Sequence, residues 1–257
     1  MELNYLKLEL IDHIAVVTLQ YPPLNLLNIN LVVEFKELFE ELSLNPDIRC
    51  AVVTGSGTKA FCAGDELGAP PAPMPKGMRS VYITTAFNTI EAAPFPVIAA
   101  INGYALGDGL EMAMACDIRL AADTAKMGLV EAARGLIASN GGVTRLPWLI
   151  GEANAKKMYF TAAKITAEQA LNYGLVQEVL PADQLMDRAM ELAREIAANA
   201  PLSIGAAKTI MHDFRANLFD ASFAREQKHQ NRVLKSSDFK EGVKAFKEKR
   251  QPNWQGK

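Results

Sequence analysis

Cysteine and histidine are scarce in this chain of 257 residues, with three of each. Cys50, Cys62 and Cys116 stand far apart with no Cys-x-x-Cys pair, which excludes a disulfide framework or a zinc knuckle. His13, His212 and His229 are equally scattered, so no two sit at metal-ligand spacing. Positive charge is not in excess either. Lys and Arg number 27 against 29 Asp and Glu, a net charge of −2, which argues against a nucleic-acid partner. No apolar run approaches the roughly 18 residues of a membrane span. The N-terminus, MELNYLKLEL, alternates instead of placing a basic region before an apolar one, so no secretory leader is expected and the expected setting is cytoplasmic. A serine nucleophile elbow is missing, because Ser56 has glycine only as its immediate neighbours. Nothing singles out a histidine to activate Cys62.

What remains is an ordinary globular composition, 49% hydrophobic and 22% charged, in one large domain or a domain with an appendage. Tyr5–Leu10 and Ile14–Leu19 read as strands, followed by a proline-bounded loop, Tyr21–Asn28. Asn30 reads as the cap of a helix over Leu31–Leu44. Cys50–Thr54 and Val97–Ile101 read as buried strands, with a helix over Met78–Ala92 between them. The spacing Gly55-x-Gly57-x-x-Ala60 imitates a dinucleotide fingerprint, but no helical pattern continues from it, so it reads as a tight turn. Gly68–Gly77 is a proline-rich surface loop by composition. Further on, Ile118–Ala121 and Leu175–Val179 read as strands, and Ala153–Thr161 and Thr166–Tyr173 as helices. From Pro181 the pattern is helical throughout: Ala182–Ala198, Ser203–Asn217, a polar stretch to Leu234, and Asp238–Lys249.

The stretch richest in chemistry is Ala99–Asp117, AAINGYALGDGLEMAMACD. Gly103, Gly107 and Gly109 make a glycine turn after an apolar run, and a helical pattern follows. Such a turn brings backbone N–H groups close to a ligand, and the helix start adds partial positive charge. Asp108 and Glu111 are three residues apart, on one helical face among apolar neighbours. From pattern alone Glu111 is a helix-dipole partner or a functional acid, and Glu131 is a solvated loop acid or a second functional one. A second small-residue turn, Phe61–Leu67, could present an N–H to an anion, or simply start a helix. Two such N–H groups could form an oxyanion hole, and two carboxylates in one pocket could divide acid and base roles.

These motifs, taken together, resemble the crotonase (enoyl-CoA hydratase/isomerase) family. Pro96–Asp117, PVIAAINGYALGDGLEMAMACD, resembles its P-V-I-A-A-x-N-G-x-A-x-G-G-G-x-E-x-A-x-x-C-D. Phe61–Glu66, FCAGDE, resembles F-x-A-G-A-D, and Asn25–Asn28, NLLN, resembles N-A-L-N. Val130–Leu146 and Glu241–Arg250, EGVKAFKEKR, resemble two later motifs, in the family's order. The resemblance implies an α/β fold, a crotonase-like spiral of ββα turns over residues 1–198 with the active site, and a C-terminal helical trimerisation region over 199–257. It implies an acyl-CoA thioester substrate, no cofactor beyond the coenzyme A of that substrate, no metal, and a homotrimer or homohexamer. The backbone N–H groups of Asp65 and Asp108 would form the oxyanion hole. Glu111 and Glu131 would hold water and add it across an enoyl-CoA double bond, the acyl group being linear, branched or cyclic. Leu26, Ala63, Glu66, Leu67, Gly107, Phe246 and Lys249 would contact substrate or CoA, Lys249 as a point charge for phosphate. A double-bond isomerase and a non-catalytic acyl-CoA-binding protein are the alternatives. The chain departs from the pattern where Asp65 replaces alanine, Asp108 the middle glycine, Val130 proline, and Ala138-Ser139-Asn140 a proline-glycine turn. Two extra carboxylates beside a developing oxyanion would oppose it unless turned away or protonated.

Overall fold

The structure, a computed structural model, describes residues 3–66 and 78–255, with the backbone alone over 213–225. Leu67 and the Gly68–Gly77 loop lie outside the described residues. Two strands open the chain, β1 (Leu6–Ile11) and β2 (Ile14–Leu19), and α1 (Ile29–Leu44) follows. The chain then repeats one step. A fully buried apolar run enters a large sheet, a short strand enters a second sheet, and a helix returns. The steps are β3 (Cys50–Gly55), β4 (Ala60–Cys62) and α2 (Met78–Ala92), then β5 (Val97–Ile101), β6 (Tyr104–Leu106) and α3 (Asp108–Ala115). The next comprises β7 (Ile118–Ala122), β8 (Lys126–Gly128), a 3-10 turn at Glu131–Arg134, α4 (Gly142–Ile150) and α5 (Glu152–Phe160). Then come β9 (Ile165–Thr166), α6 (Ala167–Tyr173), β10 (Glu178–Leu180) and α7 (Leu185–Ala197). Two helices end the chain, α8 (Pro201–Val233) and α9 (Ser237–Glu248).

The large sheet has six strands in the order β1-β2-β3-β5-β7-β10, and the small one four in the order β4-β6-β8-β9. Successive steps advance one strand in each, so the chain climbs as a spiral of ββα turns. From β2 to β10 the large sheet is parallel, which explains its continuous apolar runs: CAVVTG and VIAAI are buried on both faces. Register holds Val53 opposite Ala99, and Ala99 opposite Arg119. The core lies between this sheet and α1, α2, α3 and α7, with Phe35, Phe39, Phe61 and Phe87 fully buried.

Several boundaries differ from those read in the sequence. The cap of α1 is Asn28, whose side chain accepts from the Leu31 N–H at 2.9 Å, not Asn30, which lies in the first turn. Leu175 and Val176 are core residues after α6, and the strand they suggest begins at Glu178. Ser203–Asn217 and the polar stretch beyond form one helix, α8. The Gly55–Ala60 turn joins two strands with no helix after it.

Candidate active site

The small sheet builds the site, because its parallel strands β4, β6 and β8 all end on one side, in turns that meet. After β4 the chain turns through Gly64 into Asp65, and after β6 through Gly107 into Asp108. Gly107 takes φ 56° and ψ −127°, a conformation open to glycine without strain. Gly109 is where α3 crosses β4: a Cβ there would lie 2.0 Å from the Cys62 carbonyl oxygen. The two turns abut, since a Cβ on Gly64 would come within 2.8 Å of the Leu106 oxygen and 3.8 Å of the Asp108 nitrogen. The parallel bridge between Leu27 and Asp65 uses the Leu27 and Glu66 N–H groups, and the Asp108 N–H is the unpaired start of α3. Among the described residues the N–H groups of Asp65 and Asp108 thus find no acceptor, and they flank one turn pair.

Glu111 lies one helical turn beyond Asp108 and is fully buried. Its Oε1 accepts from the Asn140 N–H at 2.8 Å and the Gly142 N–H at 2.7 Å, while its Oε2 is buried with no donor among the described residues. Burial first, then the charge and close approach of the Asp108 carboxyl, then Glu131 and Glu226, hold the Glu111 carboxyl well above the usual range. Glu131 opens the 3-10 turn, and its carboxyl rests against Gly107, where a Cβ would be 2.8 Å from Oε1. Its Oε2 is also buried without a partner among the described residues. Burial, with Asp108 adding repulsion, pushes Glu131 up to about 8, against the pull of backbone hydrogen bonding and Arg134. The fold therefore brings Glu111, Glu131, Asp65 and Asp108 together from three successive turns of the spiral.

Four further features were not legible as site residues. Asn140 is a hub. Its Oδ1 accepts from the Ser80 and Thr84 hydroxyls at 2.8 and 3.0 Å, its Nδ2 donates to Asp108 Oδ1 at 2.7 Å, and its carbonyl accepts from Arg145 at 2.9 Å. Its position before Gly141-Gly142 was the available signal. Arg145 is fully buried and makes a two-pronged bond to Glu91, at 3.1 and 2.8 Å. Arg79, from the first turn of α2, bonds the Asp65 carboxylate through Nε and Nη2 and the Leu27 carbonyl at 2.9 Å. Burial raises Asp65, Arg79 opposes that, and the Asp108 charge adds to it. The extra aspartate at 65 thus turns its charge onto a cation. Glu226, from α8, is buried, with Thr144 and Gly141 beside its carboxyl.

The remaining predicted residues lie around these turns. Leu26 precedes the Leu27 bridge, and Ala63 donates its N–H to Leu24 at 3.0 Å. Glu66 accepts from the Tyr21 hydroxyl at 3.3 Å. Leu67 lies outside the described residues. Phe246 is about half exposed, and the Arg134 guanidinium stacks 4.7 Å over its ring, so the tail meets the turn that carries Glu131. Lys249 caps α9 in the left-handed region. The three thiols are buried and pushed up to about 12 by burial, so none is a ready nucleophile. Among the described residues no three His, Cys, Asp or Glu side chains converge as metal ligands. A cavity of about 420 Å³ opens elsewhere, against Met114, Cys116, Lys208 and His212, and none of the predicted site residues lines it.

Comparison with known proteins fits this geometry. The family model described as enoyl-CoA hydratase/isomerase matches residues 9–257. The chain is 37% identical over 262 residues to an (E)-benzylidenesuccinyl-CoA hydratase of Thauera aromatica, covering 97% of this chain and 98% of that protein. It is 36% identical over 253 residues to a short-chain-enoyl-CoA hydratase of Clostridium acetobutylicum, covering 97% of each. A crystal structure of a carnitinyl-CoA hydratase from Mycobacterium avium superposes with a TM-score of 0.89 at 33% identity, over 98% of this chain and 99% of that one. A spiral of ββα turns, a glycine turn opening α3, and similarity along nearly the whole chain lead to one conclusion: the chain belongs to the enoyl-CoA hydratase/isomerase, or crotonase, family.

Proposed function

We propose that this protein is an enoyl-CoA hydratase, a hydro-lyase that adds water across the α,β double bond of an acyl-CoA thioester. The observation that carries the reading is the matched pair of carboxyls. Among the described residues, Glu111 and Glu131 each keep one buried oxygen with no partner, beside two N–H groups that lack acceptors. In this reading one water sits between the two free oxygens. The ionised carboxyl takes a proton from water as its hydroxyl bonds to the β-carbon. The electron pair of the double bond moves toward the thioester oxygen, which the Asp65 and Asp108 N–H groups stabilise. The protonated carboxyl then delivers its proton to the α-carbon, and exchange with solvent restores the starting state. Losing one such donor costs about 10²–10³ in rate. Leu26, Ala63, Glu66, Leu67 and Gly107 would line the thioester and acyl group, and Phe246 and Lys249 would meet the CoA.

The same proposal divides the chain into a catalytic spiral, 1–198, and an association region, 199–257, in a cytoplasmic homotrimer or homohexamer. Leu202, Ile210 and Met211 on α8, 89%, 69% and 75% exposed, support an assembly that covers them. No cofactor enters the scheme. The test is a panel of linear, branched and cyclic enoyl-CoAs, followed by loss of the conjugated thioester absorbance. Hydration of at least one member is expected. Tight acyl-CoA binding with no hydration of any would overturn the proposal, and a shifted double bond in the product would identify an isomerase.

A further inference from the structure

Glu111 is held by a stretch of chain that is neither helix nor strand. Residues 136–141 join the 3-10 turn to α4, and side chains from other elements hold their peptides one by one. The Ile137 N–H donates to Gln230 of α8 at 3.1 Å, and the Ala138 N–H to the Tyr159 hydroxyl of α5 at 3.2 Å. Gln227 of α8 donates to the Ser139 carbonyl at 2.8 Å. The next donors are those on Glu111 itself: the Asn140 and Gly142 N–H groups both point at Oε1. Between them in the chain lies the Asn140 carbonyl, and Arg145 donates to it at 2.9 Å. The guanidinium lies directly against the loop. A Cβ on Gly141, which has φ 99°, would come 1.9 Å from Arg145 Nη1.

Arg145 is itself fixed from the opposite end. Its Nε and Nη2 grip Glu91 of α2, and Nη2 also donates to Asn88 at 3.1 Å. The Arg145 and Glu91 side chains are 0% and 5% exposed. Burying such a pair costs desolvation that its attraction does not reliably return, so stability alone is a weak reason to keep it. A planar, rigid guanidinium is suited to another task, because it can hold a fork on one side and a carbonyl on the other. The fork sits on α2, whose Ile83, Ala86, Phe87 and Ile90 are locked in the core. The third arm sits on the peptide between the two donors to Glu111.

We propose that Arg145 is a positioning residue for Glu111: anchored on Glu91, it fixes the Asn140–Gly141 peptide and so aims the two N–H groups that set the carboxyl. The kinetic consequence rests on the hydratase reading, whereas the hold on the loop does not. The test therefore has two readouts on Arg145→Lys. Lysine keeps the charge but has no planar fork, so it cannot serve Glu91 and the Asn140 carbonyl together. The first readout is amide hydrogen exchange by mass spectrometry, which needs no turnover. Peptides covering residues 137–143 should exchange at least about tenfold faster in the variant, with the β3 peptide unchanged. The second is a double-mutant cycle in kcat. Arg145→Lys alone should lower kcat about 100-fold with KM within about threefold, because a small misplacement of a reacting group is that costly. Added to Glu111→Gln, it should lower kcat by less than about threefold, since the group it positions is already disabled. A merely structural role would give additive losses. Should Arg145→Lys not fold, Glu91→Gln, which loosens the fork and keeps its shape, should show the same pattern with a kcat loss of about tenfold. Unchanged exchange over 137–143, exchange raised equally in β3, or losses additive with Glu111→Gln overturn the proposal. Faster exchange confined to the loop, in a protein whose wild type hydrates no enoyl-CoA, overturns the hydratase reading alone.

Discussion

Replacing Glu226 with glutamine should change how the stability of this protein depends on pH. Glu226 sits on α8 at 5% exposure, with Thr144 and Gly141 beside its carboxyl. Burial pushes it from 4.5 up to about 7, against the pull of Thr144 and Arg145. A carboxyl raised in the fold favours the folded state while it is protonated. Its contribution is intact below the unfolded value and is lost as pH climbs from about 4.5 through about 7. At 1.36 kcal/mol per unit, the loss is about 3 kcal/mol. Glutamine keeps the shape and does not ionise, so the variant escapes that loss. Urea unfolding of both proteins at fixed concentration, between about pH 4 and about pH 9, should show the variant gaining about 3 kcal/mol relative to wild type across the range. Glu111 and Glu131 weaken both proteins in the same direction, so they largely cancel in the difference. Parallel stability curves would refute the reasoning, because they would mean that Glu226 ionises in the fold as freely as in water.

Three other outcomes follow from named contacts. Arg79→Ala leaves the Asp65 carboxylate partly buried without its guanidinium and should cost about 2 kcal/mol; the double variant with Asp65→Ala should recover most of it, which a double-mutant cycle by urea unfolding measures. Gly142→Ala puts a methyl 2.7 Å from Glu111 Oε1, so kcat should fall about 100-fold with KM little changed, read by steady-state kinetics. Arg145→Ala removes a buried cation bonded to Glu91 and to the Asn140 carbonyl and should cost about 3–5 kcal/mol, read by denaturant midpoint.

The large sheet was legible because its strands are unbroken apolar runs such as CAVVT and VIAAI, which need no partner to be recognised. The small sheet was not. Ala60–Cys62, Tyr104–Leu106, Lys126–Gly128 and Ile165–Thr166 are two or three residues long, too short to show a period of two. That sheet carries the site, so the convergence of Glu111 with Glu131 could be reached from the sequence only through resemblance. Residue patterns found the glycine turns, because glycine marks where backbone must approach backbone. They could not find Asn140, Arg79 or Glu226, whose partners lie 32, 14 and about 80 residues away. A polar residue declares such a role only when the fold supplies the other half. The cap of α1 was misplaced by two residues because Asn28 and Asn30 are chemically equivalent, and only the backbone turn selects Asn28.

The central claim is that Glu111 and Glu131 together hold and deliver water. It is tested most directly by the initial rate of loss of conjugated thioester absorbance for wild type and Glu131→Gln, with acyl-CoA affinity measured alongside. The account predicts that Glu131→Gln lowers the rate by about 10²–10⁴ while the affinity stays within about threefold. A Glu131→Gln variant that hydrates as fast as wild type would contradict it.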